Sequence, residues 1–259
     1  MRQIISRIED FDRNRTYAGR FLLRFASIDS TNLFCLENRS VLERAGLVVM
    51  AERQTKGRGS KGKQWEAGTG SHLFCSFVVH PRLDVNLIPS MTIFSGLAVF
   101  RILKALGAKE LSIKWPNDIL LANKKVCGIL CESRLHQDLK AVVIGIGINI
   151  SGDSSQFSTE LRGKATTLSE HGIETSPMRL LAPLAKEIDS ILLRAENVRE
   201  RKKIFQLWEQ ASNSIGRQIS FNDGQDKGII IGLDDLGRLM VQTPDGRLKG
   251  IESATVEYP

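Results

Sequence analysis

At 259 residues, 42% of them apolar and 25% charged, the chain has the composition of a folded globular protein rather than a disordered or fibrous one. A formal net charge of +7 suits either a nucleic-acid surface or attraction to phosphates and an acidic partner protein, so charge alone leaves nucleic acid open. No uninterrupted apolar run approaches the roughly 18 residues that cross a bilayer, and MRQIISRIEDFDRNRTYAGR lacks the apolar core of a signal peptide. The expected setting is therefore the cytoplasm, with no membrane partner.

In chain order, residues 1 to about 20 are polar and read as a helical or frayed extension. RFLLRFASI then reads as a strand, and Ser30 or Thr31 caps a helix running to Ala45 and closed by Gly46. Leu47–Ala51 (LVVMA) and HLFCSFVV are buried strands on either side of a glycine-rich basic loop. Apolar residues at helical spacing from Ser90 to Leu106 predict a helix ended by Gly107. LSIKW, ILLAN, KVCGILCES and AVVIGIGINI are four further strands, with a hairpin at Asn123-Lys124. Residues 151–175 read as an irregular loop, and Ser176-Pro177 opens a helical region reaching Ser214. Beyond Ile215, short alternating segments punctuated by Asp223-Gly224, Leu236-Gly237 and Asp245-Gly246 predict a small β-barrel that docks on the larger α+β domain. Cys35, Cys75, Cys127 and Cys131 form no CxxC pair and read as buried hydrophobes in a reducing compartment; the four histidines have no metal-ligand spacing, so no metal site is expected.

Gly57-Arg58-Gly59-Ser60-Lys61-Gly62 spells the dinucleotide-binding pattern G-x-G-x-x-G. The required helix is missing: Gln64, Trp65, Gly68, Thr69 and Gly70 follow, and then another strand. A basic, glycine-flexible loop between strands fits a phosphate or another anion better, against the plain alternative of a solvated basic loop.

Three other segments belong beside this loop. Asp29-Ser30-Thr31-Asn32 alone could be a helix cap, Lys114-Trp115-Pro116-Asn117-Asp118 a proline turn, and Gly145-Ile146-Gly147-Ile148-Asn149 a strand with close backbone contacts. Their order and spacing, with Lys125-Val126-Cys127-Gly128-Ile129-Leu130 and Ala165-Thr166-Thr167-Leu168, closely resemble the biotin protein ligases. The resemblance implies a class II synthetase-like catalytic domain with a mixed, largely antiparallel sheet over residues 21–212, an SH3-like barrel over 213–259 and a short extension over 1–20. It also implies the family's chemistry: biotin and ATP give biotinyl-5′-AMP, and biotin then passes to a lysine of a biotin carboxyl carrier protein, such as that of acetyl-CoA carboxylase or another biotin-dependent carboxylase.

By that resemblance, Lys125 contacts the biotin carboxylate, Lys114 and Arg58 face the phosphates, and Mg²⁺ arrives with ATP. Ser30, Thr31 and Gln54 hydrogen-bond the ureido ring, with Asn32, Ser60 and Asn117 in the same binding motifs. Gly57, Gly59, Gly128 and Gly145 let backbone approach the ligand. Trp65 covers the adenine, Asn149 lies near the nucleotide, and Asp118 steers the acceptor lysine. Ser60 stands where the family often has a second arginine, Gly68 where it has proline and His72 where it has asparagine, while Ser253-Ala254-Thr255-Val256 departs from the family's C-terminal pattern. With only some 20 residues before the first catalytic strand, no repressor domain and no specific nucleic-acid partner are expected; a homodimer is left open. A lipoate or octanoate ligase on the same fold and a nucleic-acid-binding protein are the competing functions.

Overall fold

The computed structural model describes residues 3–66, 68, 70–136, 139–221 and 224–251. Its strands and helices follow in the order β1 (Gln3–Ile4), β2 (Glu9–Asp10), β3 (Ala18–Ile28), α1 (Thr31–Glu37), α2 (Arg39–Leu42), β4 (Gly46–Gln54), β5 (His72–Val79), α3 (Met91–Ala105), β6 (Leu111–Lys114), β7 (Asp118–Leu121), β8 (Lys124–His136), β9 (Leu139–Asn149), α4 (Pro177–Ala195) and α5 (Val198–Ser212). A second set, β10 (Gln218–Phe221), β11 (Asp226–Leu233), β12 (Leu239–Gln242) and β13 (Leu248–Ile251), closes the described chain.

The first set of strands forms one mixed sheet in the order β1-β3-β4-β5-β9-β8-β7-β6, with β2 also paired to β3. Only the β3–β4 pairing is parallel among those described. The fold is thus α+β with a largely antiparallel sheet, as expected of a class II synthetase-like domain. All eight residues of β5 are buried, which is why HLFCSFVV reads as a largely apolar run, with His72 and Ser76 as its polar members.

Two apolar clusters cover the two faces. Leu23, Phe25, Leu47, Val49 and Ala51 pack under Cys35, Leu36, Val41 and Leu42 of α1 and α2. The opposite face supports α3, α4 and α5, with Met91, Phe94, Leu97, Ile188 and Trp208 in the larger cluster. That cluster continues into the second sheet through Ile219, Phe221, Ile230, Leu239 and Val241. Glu209 Oε1 accepts from the Leu233 amide at 2.6 Å, and Ser90 Oγ donates to the Leu236 carbonyl. The last four strands form an antiparallel sheet among the described residues, in the order β10-β11-β12-β13. Asp223 of the expected Asp223-Gly224 turn and residues 253–256 lie outside the described residues.

Several local expectations need correction. Residues 3–4 and 9–10 are short strands that pair along the outer side of β3, not a helix. The helix expected from Thr31 to Ala45 breaks at Asn38, which is extended at φ −111° and ψ 103° and donates its side-chain amide to the Phe34 carbonyl at 2.6 Å. Gly46 opens β4 at φ +85° instead of merely ending a helix. The region 176–214 is two helices, because Asn197 Oδ1 caps α5 by accepting from the Arg199 and Glu200 amides at 2.9 and 3.2 Å. The hairpin turn sits at Ala122 and Asn123, both at positive φ (49° and 61°), one residue earlier than expected. Val85–Ala105, a 3₁₀ turn running into α3, is long and apolar enough to cross a membrane by length and composition. Asn86, Pro89 and Arg101 interrupt its apolar run, and it is a core helix here.

Asp189 of α4 fastens the chain's entry into the sheet. Its carboxylate, 4% exposed, accepts from the Thr16, Tyr17 and Ala18 amides. Asp189→Ala leaves the buried Tyr17 and Ala18 donors without a partner. The expected cost is about 2–3 kcal/mol, read as a lower urea midpoint at an unchanged slope; a loss under about 0.5 kcal/mol contradicts this anchoring role.

Candidate functional site

A cleft opens beside α1, on the same face of the sheet as α1 and α2 and opposite the face that supports α3, α4 and α5. Register places Ser76 beside Gly145, Phe74 beside Gly147 and His72 beside Asn149. Across β8, Gly147 pairs with Gly128 and Gly145 with Leu130, and Gly128 in turn pairs with Asp118 of β7. Glycines at 128, 145 and 147 therefore lower the sheet surface into a floor, walled on one side by α1 and on the other by the basic loop. An inner cleft of about 440 Å³, part of it open to solvent, is lined by Ser30, Thr31, Asn32, Gln54, Arg58, Gly59, Ser60, Trp65, Asn117, Lys125, Gly128 and Gly145. Lys114, Asp118 and Asn149 line an adjoining outer cleft, which shares Gly59, Ser60, Trp65 and Lys125 with the inner one. Gly57 lines neither cleft: its carbonyl accepts the Trp65 amide at 3.0 Å and closes the base of the loop.

The loop is a narrow hairpin. Gly59 N–H meets the Lys63 carbonyl at 2.8 Å, and the Ser60–Gly62 tip turns through Lys61 at φ +56°. Its far arm lays Trp65 on the floor: a methyl group built on Gly128 stands 2.4 Å from the Trp65 ring, and one on Gly147 stands 2.7 Å away. A methyl on Gly145 comes within 2.2 Å of Asn32 Oδ1. The groups these glycines admit in this structure are thus protein side chains. Ser60 Oγ receives the Asn117 amide at 3.4 Å, and that amide also donates to the Ile129 carbonyl at 2.9 Å, tying the loop tip to β8.

The polar end of the inner cleft is built from short, buried contacts. Ser30 caps α1 with its hydroxyl, and Gln54 Oε1 accepts from the Thr31 amide at 2.7 Å and its hydroxyl at 3.1 Å. This pins Gln54 through its side-chain oxygen and leaves the NH₂ group as the donor end of the side chain. Two partners escaped the sequence reading. Ser76, fully buried, reaches Thr31 Oγ1 and Asn32 Oδ1. Glu132 pairs with Arg58 at 2.9 Å and accepts from Asn32 at 3.1 Å. The available signal was a polar side chain on an otherwise apolar stretch in each case: Ser76 within LFCSFVV, and Glu132 directly after VCGILC.

The cations gather at the junction of the clefts. Lys125 Nζ stands 2.6 Å from Asp118 Oδ1 and 5.3 Å from the Trp65 ring centroid. The backbone of Lys125 is gripped on both sides: its N–H reaches the Lys164 carbonyl at 2.8 Å and its carbonyl takes the Thr166 amide at 3.0 Å. Asn149 donates to the Thr166 carbonyl at 3.1 Å, so Ala165–Leu168 joins the two strands that frame the outer cleft. Burial pushes the His72 imidazole down, opposed by its bond to the Gly68 carbonyl, and pushes the Cys75 and Cys127 thiols well up. The cysteines of the described chain are free, and Cys35, Cys75 and Cys127 are buried.

Glu170 holds the Ala165–Leu168 segment. Burial raises its carboxyl, but bonds from Ser154, Thr166 and Thr167 outweigh burial and bring it down to about 2. A carboxyl lowered by folding contributes stability that is fully present above its unfolded value, near 4.5, and is lost as pH falls through about 2. The stability advantage of the wild type over Glu170→Gln is therefore expected to shrink between pH 4.5 and 2. Denaturant titrations across that window check it, and a pH-independent difference contradicts it.

Residues 24–149 match the Biotin/lipoate A/B protein ligase family, and residues 214–257 match the Biotin protein ligase C terminal domain. The bifunctional ligase/repressor BirA of Bacillus spizizenii is 33% identical over 249 residues, covering 92% of this chain and 74% of that protein. The chain belongs to the biotin protein ligase family. The biotin–[acetyl-CoA-carboxylase] ligase of Paracoccus denitrificans is 31% identical over 232 residues, covering 86% of this chain and 94% of that one. Among solved structures, the biotin protein ligase from Aquifex aeolicus in complex with biotin and ATP superposes with a TM-score of 0.77 at 29% identity, covering 92% of this chain and 99% of that one. Within this ligase fold, the glycine floor, the basic hairpin and Lys125 occupy one continuous site.

Proposed function

We propose that this chain activates biotin with ATP as biotinyl-5′-AMP and transfers it to a lysine of a biotin carboxyl carrier protein. The observation that carries this is one cleft with a neutral, hydrogen-bonding end at Thr31 and Gln54 and a cationic end at Lys125 and Arg58. A ureido ring is small, polar and uncharged, and suits the first end; a carboxylate meeting a triphosphate needs the second. The relative from Aquifex aeolicus, solved with biotin and ATP, supports the same pair of substrates.

In the first step a biotin carboxylate oxygen attacks the α-phosphorus of ATP, forming the acyl–phosphate bond as pyrophosphate leaves. Lys125 holds the carboxylate and steadies charge on the reacting oxygens, with Arg58 and Lys114 on the phosphates; Mg²⁺ enters as part of the nucleotide substrate. Trp65 and Asn149 face the nucleotide, and Trp65 keeps water from the reactive anhydride. In the second step the acceptor lysine's neutral amine attacks the acyl carbon and AMP departs. Asp118 draws in the ammonium form and takes its proton, while Lys125 remains beside both groups. The division of labour is residues 21–212 for activation and 213–259 as a docked accessory module, with 1–20 as an extension. The free thiols of the described cysteines fit a reducing, cytoplasmic setting.

The test is incubation of the full chain with biotin, MgATP and a biotin carboxyl carrier domain, read by mass spectrometry. One biotin on one carrier lysine is expected. An unmodified carrier, or one modified only when lipoate replaces biotin, overturns the proposal.

A further inference from the structure

One polar chain joins the two ends of the inner cleft. Arg58 Nη2 lies 2.9 Å from Glu132 Oε1, and Glu132 Oε2 accepts from Asn32 Nδ2 at 3.1 Å. Ser76 Oγ stands 2.6 Å from Asn32 Oδ1 and 2.8 Å from Thr31 Oγ1, and Thr31 donates to Gln54. Ser76 has a single proton for two acceptors, so the chain has two arrangements: Ser76 donates to Asn32 while Thr31 donates to Ser76, or Ser76 donates to Thr31 while Thr31 donates to Gln54. A ligand that hydrogen-bonds Gln54 or Thr31 favours one of them, and the choice changes how Asn32 is held against Glu132.

Glu132 is the charged member between the buried neutral groups and the loop. It meets the Arg58 guanidinium at one terminal nitrogen, and a guanidinium carries five N–H donors in a fixed fork. The remaining donors stay available to an anion in the cleft. Glu132 can therefore aim Arg58 without competing for all of it.

We propose that Glu132 is a positioning residue: it holds Arg58 over the cleft and, through Asn32, Ser76 and Thr31, ties that aim to occupancy of the biotin end. This rests on the assignment of Arg58 to the ATP phosphates made above. A pre-aimed arginine pays less ordering entropy when the nucleotide arrives, so biotin seated at Gln54 strengthens nucleotide binding, and by linkage the nucleotide strengthens biotin binding.

The experiment is calorimetric titration of the full chain with a non-hydrolysable ATP analogue, with and without saturating biotin. Glu132→Gln keeps the shape and the acceptor for Asn32 but removes the charge. It is expected to weaken analogue binding in the presence of biotin about tenfold, to change biotin affinity less than about threefold, and to abolish the strengthening of analogue binding by biotin. In an Arg58→Ala background the same change is expected to have no further effect, whereas a merely structural role gives additive losses. Glu132→Asp, too short to reach Arg58, is expected to repeat the loss and serves if the glutamine variant melts early. Unaltered analogue affinity in either folded variant, or an equal loss with and without Arg58, overturns the proposal. If the wild type transfers no biotin to a carrier, the function proposed above falls, while this cycle still decides the role of Glu132.

Discussion

Lys125→Ala is expected to lower kcat/KM for biotin-dependent pyrophosphate release by about 10²–10³, the usual cost of removing one preorganised charge-stabilising group. Lys125 is held from both sides by the backbone of residues 164–166, and its ammonium sits between the Asp118 carboxylate and the Trp65 ring. That arrangement fixes a cation where the clefts meet, and among the described lysines Lys125 alone lines both clefts. The substitution also leaves Asp118 without its 2.6 Å partner, but both side chains keep a quarter or more of their exposure, so the stability loss stays small. Thermal unfolding separates the two effects. A folded alanine variant that retains more than about a tenth of wild-type kcat/KM shows that Lys125 is not the group that stabilises the reacting oxygens.

Gly145→Ala acts at the other end of the cleft. The added methyl would stand 2.2 Å from Asn32 Oδ1, and Asn32 cannot step aside because Leu130, Glu132 and Ser76 hold its amide on three sides. Overpacking of this kind costs about 1–3 kcal/mol of stability. The displaced Asn32 disturbs Thr31 and Gln54 through Ser76, so biotin affinity is expected to fall about 10- to 100-fold, or 1.4–2.8 kcal/mol. Gly96→Ala is the control: it adds the same methyl within α3, where the nearest neighbours are an ordinary 3.6–3.8 Å away. Calorimetric titration of biotin into both variants checks the contrast, and equal affinities would show that Gly145 does not shape the biotin end of the cleft.

Both predictions depend on features unequally visible in the sequence. β5 was legible because an eight-residue apolar run ends at turn-forming residues, and the caps at Ser30 and Ser176 were legible because a hydroxyl before an apolar period has a local meaning. The breaks at Asn38 and Asn197 were not, since each depends on whether an asparagine side chain bonds its own backbone instead of facing solvent. Strands β1 and β2 escaped notice because two-residue strands take their stability from the edge of β3, not from any local pattern. In the site, the motifs gave the lining but not its wiring. Arg58 and Glu132 are 74 residues apart, and nothing in either segment announces the pair. The role of Ser60 also changes in emphasis. Where the sequence shows a missing arginine, the structure shows a hydroxyl receiving the Asn117 amide, so Ser60→Arg would exchange a loop-tip contact for a cation.

Under the proposed mechanism, this cleft joins a biotin carboxylate to ATP before any acceptor is bound. The most direct measurement is pyrophosphate release from MgATP by the full chain with no carrier protein present. Release is expected to require biotin and not to occur with lipoate or octanoate. Release driven by either of those acids in place of biotin, or none with biotin, would contradict it.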